Sequence, residues 1–544
     1  MPNILIPLFF LIAVPAQTTP TPAVNPADPC TVQGVVLKAD TGEPLRKAMV
    51  EMWQEGGPSQ PTDTTSDNMG RFELKNIEPG RYRLSVQRSG YVRQEYGQTN
   101  PEGPGSYLTL SPGQKISDIT IQLIPAAVIT GHVYDEDGEP VQGAQVSTFR
   151  YVYGNGQREL AHAGEGRTND LGEFRIYGLA PGRYIVGAEK QPRLLAPLKA
   201  EPGYVPIYYP GVPDAERAAP IAVSAGEEFS SVDITLQTTH TVTLRGHVIS
   251  SLGGGPALHA QVFLVSQGTA TSGSHVTSQT FVNDPQGVFE LRNVTPGAYF
   301  LYAFLYRERS ELARQPLEVA EADLDGITLM VAPGVDLKGR VRVEGQLDSG
   351  VGSFQVSLSP KNTRPFFGGI PSDSVKPGGS FLLKNVFDDE YEINIDGLPG
   401  GYFLKSARLD GNDALTAGFT ISTRQTPGLL DILVSSNGAR IDGVVSEDQK
   451  PFPGASVTLV PDPPHRGERR LFKSTSTDQL GHFVLQGIPP GDYKLFAWES
   501  IETGAYTSSD FLLPFENRGE SLHISEGSSR SVQLDLIPGK DSGR

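Results

Sequence analysis

NIEPGRYRLSV, residues 76–86, is the line on which the fold turns. It returns as GLAPGRYIVGA (178–188), NVTPGAYFLYA (293–303) and GIPPGDYKLFA (487–497), and in altered form as NVFDDEYEINI (385–395). Each copy opens on Asn76, Gly178, Asn293, Asn385 or Gly487. Asn and Gly enter the left-handed backbone region at the lowest cost, so this position predicts a bend or bulge that ends a strand. Pro-Gly then predicts a tight turn, with Pro fixing φ at its second position and Gly supplying positive φ at its third. In the fourth copy Asp388-Asp389 stands in that place. A Tyr follows in every copy (Tyr82, Tyr184, Tyr299, Tyr391, Tyr493), on the strand face of an apolar residue two places on. The rings are expected to pack inward, with hydroxyls bonded near the sheet edge.

Reading outward, a Gly-x-Phe precedes each line: Gly70/Phe72, Gly172/Phe174, Gly287/Phe289, Gly379/Phe381 and Gly481/Phe483. In four copies an Asp stands two or three places before that Gly (Asp67, Asp170, Asp284, Asp478), the pattern of an Asx turn closing on a positive-φ glycine. Each copy starts with a Gly inside a β-branched run (Gly34, Gly131, Gly246, Gly339, Gly443) and ends on an alternating strand such as ISDITIQLIP (116–125) or RSVQLDLIP (530–538). The repeat is therefore roughly 100 residues long and holds about seven short strands with period-two alternation. The expected class is all-β, with five tandem immunoglobulin-like antiparallel β-sandwiches. The expected divisions are a leader at 1–16, a Pro/Thr-rich linker at 17–29, and unit one at 30–126. Unit two covers 127–239 with an insertion at 189–219, unit three 240–334, unit four 335–437 and unit five 438–544. Such units in series predict a semi-rigid, monomeric rod whose members mainly touch their neighbours.

The chain of 544 residues carries a net charge of −17. That excess of acid argues against nucleic-acid binding, which needs a basic footprint. An apolar run from Ile4 to Val14, followed by small residues, reads as an export signal and is too short to span a bilayer as a lasting helix. No later segment approaches 18 continuous apolar residues, so no transmembrane segment is expected. With Cys30 as the one cysteine, no intrachain disulfide can form and the cores alone must hold the fold. The expected location is outside the cytoplasm, in the periplasm, on the outer surface or in the medium.

The order strand, DGxP, GAxV, variable loop, DxxGxF, PGxY resembles the carboxypeptidase regulatory-like domain, found in tandem in exported bacterial proteins. The resemblance implies transthyretin-like sandwiches, and it transfers no catalytic residue. It implies a structural or binding role for the module, which in that family accompanies a metallopeptidase domain; the wider fold group includes carbohydrate-binding and adhesin modules.

Side chains capable of chemistry are sparse. Zinc hydrolysis needs a His-x-x-Glu pair and a distant third ligand. His162/Glu165 and His465/Glu468 have that spacing but fall in variable loops, where solvated residues are expected. His132 and His247 follow the leading glycines as strand-face residues. YDEDGEP (134–140) holds calcium-like acids, yet Asp-Gly at a strand junction signals a hairpin first. No Lys recurs at a fixed place in the first strands, so an isopeptide cross-link has no support. No catalytic residue, metal or cofactor is expected. The binding candidates are aromatic: Tyr204, Tyr208 and Tyr209 in the insertion of unit two, with Tyr151 and Tyr153 in its variable loop. They could stack on sugar rings or dock a peptide, or instead cap the sandwich and pack against unit three. The leading expectation is a non-enzymatic envelope or extracellular scaffold. Polysaccharide binding through these tyrosines is the alternative, and an accessory role to a separately encoded peptidase is the third. The expected partner is a polysaccharide or another envelope protein.

Overall fold

The structure, a computed structural model, describes residues 28–57, 60–100, 103–154, 156–190, 203–267, 276–345, 354–361 and 369–539. The expected leader and nearly all of the linker after it lie outside the described residues, as does 191–202 of the insertion in unit two. Strands dominate, and buried apolar side chains gather into five main cores, each drawn from one stretch of chain. They run from Cys30 to Leu123, Ala127 to Leu236, Val242 to Val331, Leu337 to Val434, and Ala439 to Leu536.

The leading glycine of each unit lies directly opposite the Phe of Gly-x-Phe: Gly34↔Phe72, Gly131↔Phe174, Gly246↔Phe289, Gly339↔Phe381 and Gly443↔Phe483. A Cβ on Gly339 would sit 1.9 Å from the Phe381 ring, and one on Gly131 would sit 2.0 Å from the carbonyl oxygen of Val232. A bare glycine therefore lets ring and neighbouring strand close over the backbone. Burying such a Phe stabilises by about 1.5–3 kcal/mol.

The left-handed corners are where the sequence places them. Asn76, Asn293 and Asn385 have φ of 57°, 56° and 55°, and Gly178 and Gly487 have 80° and 64°. The strand register slips beside each corner, as between Cys30 and Val32 opposite the stretch from Leu74 to Ile77. The Asx turns form as expected in units one, three and five. In unit two the accepting side chain is that of Asn169, which takes the N–H groups of Leu171 and Glu173, in place of the expected Asp170. Asn169 stands three places before its glycine, the spacing of Asp67 and Asp478, and can therefore close the same ring of atoms.

Two expectations need correction. The Pro-Gly glycines are nearly extended (φ 159° at Gly80, 154° at Gly297, 158° at Gly491), so they begin the next strand and do not supply a left-handed corner. This is why Asp389 serves equally well in unit four. The sheets are also not purely antiparallel. First and last strands pair in parallel in every unit, as Cys30–Lys38 with Lys115–Leu123 and Ala439–Glu447 with Ser529–Asp535. In unit three, whose seven strands form one continuous sheet, the first strand lies between the fourth, which runs against it, and the last, which runs with it.

The rod is corrected as well. Unit five touches units one and two. Tyr107 of unit one bridges to Asp478 of unit five, and Thr109 and Gln479 exchange hydrogen bonds of 2.9 and 2.8 Å. From unit two, Tyr153 reaches Phe511 with ring centroids 5.9 Å apart and joins an apolar cluster around Trp498. That cluster belongs to an extra excursion of unit five, which includes the short helix Ser509–Leu512. These contacts bend the array back on itself.

Candidate functional site

The recurring tyrosine of the repeated line is bonded within its own unit. Each Tyr hydroxyl donates to the carbonyl four residues earlier: Tyr82 to Glu78 (2.8 Å), Tyr184 to Ala180 (2.6 Å), Tyr299 to Thr295 (2.9 Å), Tyr391 to Phe387 (3.0 Å) and Tyr493 to Pro489 (3.0 Å). The bond pins the corner before the strand to the strand itself, as the tyrosine corner of immunoglobulin-type sandwiches does. Burial raises the phenol pKa of Tyr82, Tyr299 and Tyr391 above the usual value and pushes Tyr493 up to about 12. These four hydroxyls are thus held neutral as donors.

The His-x-x-Glu spacings close as local pairs: His162 lies 3.6 Å from Glu165, and His465 lies 2.7 Å from Glu468, whose carboxylate also takes Arg470. Among the described residues no group of three or more His, Cys, Asp and Glu side chains is placed to hold a metal ion. In YDEDGEP the Asp135 carboxylate accepts the N–H groups of Asp137 and Glu139 and so serves the turn.

The five candidate tyrosines do not form one platform. Tyr204 and Tyr209 pack on the main core of unit two, Tyr204 with the Lys190 ammonium 5.4 Å from its ring. Tyr151 and Tyr208 share a smaller cluster with Phe149, and Arg158 covers the Tyr151 ring at 4.6 Å. Tyr153 is given over to the contact with unit five.

Tyr208 alone of the five lines a cleft, about 370 Å³ in volume, between units two and three. Its ring lies over Gly187, where a Cβ would come within 2.6 Å. Burial, and then the charges of Glu189 and Asp214, raise its phenol pKa. Phe149, Glu189, Thr277, Tyr299 and Glu321 share the lining, and among the described residues no Lys or Arg does. Sequence reading missed these five. The one available signal was Gly187, a glycine inside a strand, which marks a close approach by another group. A cleft of rings, hydroxyls and carboxylates can stack on an apolar face and accept hydrogen bonds from a polar edge.

Comparison with known proteins finds partial matches. The carboxypeptidase regulatory-like domain model matches residues 31–124, most of unit one. Serine-aspartate repeat-containing protein D of Staphylococcus aureus (strain Newman) is 23% identical over 163 residues, which is 27% of this chain and 12% of that protein. The same protein from strain MW2 is matched over 11% of its length, so the chain spans only a small part of these relatives. Two solved structures are similar at low identity. The minor pilin GBS52 of Streptococcus agalactiae is 14% identical, covering 38% of this chain and 96% of that one, with a TM-score of 0.23. A streptococcal ancillary pilin is 10% identical, covering 56% and 99%, with a TM-score of 0.20.

Proposed function

We propose that the protein is an exported, non-enzymatic scaffold that displays β-sandwich units at the cell envelope or outside the cell. The observation that carries this reading is the use of the recurring polar groups: in all five units the recurring Tyr hydroxyl is spent on its own corner carbonyl. The match of unit one to a regulatory-like module, and the partial likeness to a staphylococcal repeat protein, support the same reading. Antibody labelling of intact against lysed cells of the native host tests it. Labelling of intact cells, or release into the medium, is expected; signal seen only after lysis, in the cytoplasmic fraction, sinks the proposal.

A second reading, polysaccharide binding, is favoured by Tyr208 at the cleft between units two and three. A glycan array with the purified chain should then show binding that Tyr208→Ala abolishes and Tyr209→Ala spares. Binding lost equally in both variants, or in neither, removes the cleft from consideration. An accessory role to a peptidase would instead appear as a change in that enzyme's kcat/KM on adding the chain.

A further inference from the structure

Strand Tyr107–Leu110 lies on an edge of its sheet in unit one. It pairs inward with Gly80–Gln87, from Gly80↔Leu110 to Arg83↔Tyr107. The backbone groups of residues 107 and 109 therefore point the other way, and such an unpaired row is a template for another chain segment. Unit five fills it. The Tyr107 N–H donates to the Thr477 carbonyl at 3.3 Å and the Thr109 N–H to Gln479 Oε1 at 2.9 Å. Gln479 Nε2 donates back to the Thr109 carbonyl at 2.8 Å, and the Thr109 hydroxyl donates to Asp478 Oδ2 at 2.9 Å.

Two arginines complete the receptor. Arg81 and Arg83 lie over the Tyr107 ring at 3.8 and 4.2 Å and donate to the Ser476 carbonyl and hydroxyl at 3.1 and 3.2 Å. Glu55 and Glu95, both of unit one, hold these guanidiniums at 3.0 Å. The receptor is thus arranged by unit one itself, and little ordering remains to be done on docking.

We infer that this edge is a docking site for the segment 475–479, filled in a closed chain by its own unit five and in an opened chain by unit five of a second copy. The two faces that meet are different patches, so the contact is heterologous, and copies that exchange it join head to tail. The hydrogen bonds that make the contact join polar side chains and backbone groups, and interfaces of that kind between domains of one chain are commonly separable. Tethering favours the closed form when chains are dilute, because a contact within one chain has an effective concentration of roughly millimolar order. Tyr153 against Phe511 is a second hold on unit five, and releasing it shifts the balance toward exchange.

Thiol cross-linking tests this, since the native Cys30 is fully buried and does not compete. A chain carrying both Thr109→Cys and Gln479→Cys should cross-link within itself at micromolar concentration. A mixture of the two single variants, each also carrying Tyr153→Ala, should yield a cross-linked heterodimer that grows with chain concentration. The control pairs Gln479→Cys with Thr62→Cys, on another strand of unit one. No internal link in the double variant overturns the closed state. A heterodimer no more abundant than the control overturns exchange between copies. Sedimentation of the unsubstituted chain reads the same equilibrium without cysteines: concentration-dependent dimers and larger species are expected, and a monomer at every concentration refutes the exchange.

Discussion

Replacing Tyr493 by Phe removes one oxygen and leaves the ring. In the native chain that oxygen donates to the Pro489 carbonyl at 3.0 Å from a side chain only 2% exposed. A net hydrogen bond contributes about 0.5–1.5 kcal/mol, and a buried carbonyl left without its donor adds to the loss, so unit five should weaken by about 1–2 kcal/mol. The pH dependence sharpens the test. The folded phenol titrates near 12, whereas an unfolded one titrates near 10. Above pH 10 the unfolded chain releases the proton first, so the stabilising contribution is whole below pH 10 and drains away between pH 10 and 12. At pH 11 the native chain should have lost about 1.4 kcal/mol through this group, a loss that Tyr493→Phe cannot show. Trp498, fully buried against Phe496, reports on unit five by fluorescence once Trp53, the only other tryptophan, is replaced by Phe. Urea unfolding at pH 8 and pH 11 then yields four midpoints. With a slope of about 2 kcal/mol/M, the pH 8 difference should be roughly 0.5–1 M and should shrink at pH 11. Equal midpoints at pH 8 would refute the corner bond as a stabilising element, and a gap that does not narrow with pH would refute the burial that raises this phenol's pKa.

Other substitutions test other parts of the construction. Gly131→Ala places a methyl 2.0 Å from a backbone oxygen that cannot swing aside, so unit two should lose about 3 kcal/mol, the upper end for overpacking, in a thermal or urea melt. At Asn293, with φ of 56°, Gly should be nearly neutral and Val should cost about 1–2 kcal/mol more than Asn by the same melt. Tyr153→Ala should speed hydrogen exchange in the 505–515 stretch of unit five by roughly the 0.5–1.5 kcal/mol of a lost aromatic pair, whereas Tyr151→Ala should leave that stretch unchanged.

The parts legible in the sequence are those fixed by neighbours in the chain. Asn76 and Gly487 announce left-handed corners because few residues tolerate that backbone, and the Tyr six places on falls on the inner face because strands alternate. The Asp of an Asx turn was legible as a type but not as a position in unit two, where Asn169 and Asp170 stand side by side and only geometry selects the first. The cleft and the contact between units one and five were not legible. Arg81, Thr109, Ser476 and Gln479 are ordinary polar residues, almost 400 positions apart across the contact, and no local period marks one for the other. Tyr153 shows the same limit: its aromatic character was visible, but its partner Phe511 lies in a part of unit five outside the repeated pattern.

The pairing of each unit's opening strand with its closing strand has a consequence for biogenesis. Cys30–Lys38 cannot gain its second neighbour until Lys115–Leu123 has left the ribosome, so every module stays half-built until its final residues arrive. Modules therefore finish one after another, and the newest one meets a finished predecessor and not a competing nascent sheet. The Thr109–Gln479 clasp inherits this timetable: it cannot close before unit five has begun to emerge, and a chain stopped anywhere before residue 475 leaves the rim of its first module open to whatever strand comes by.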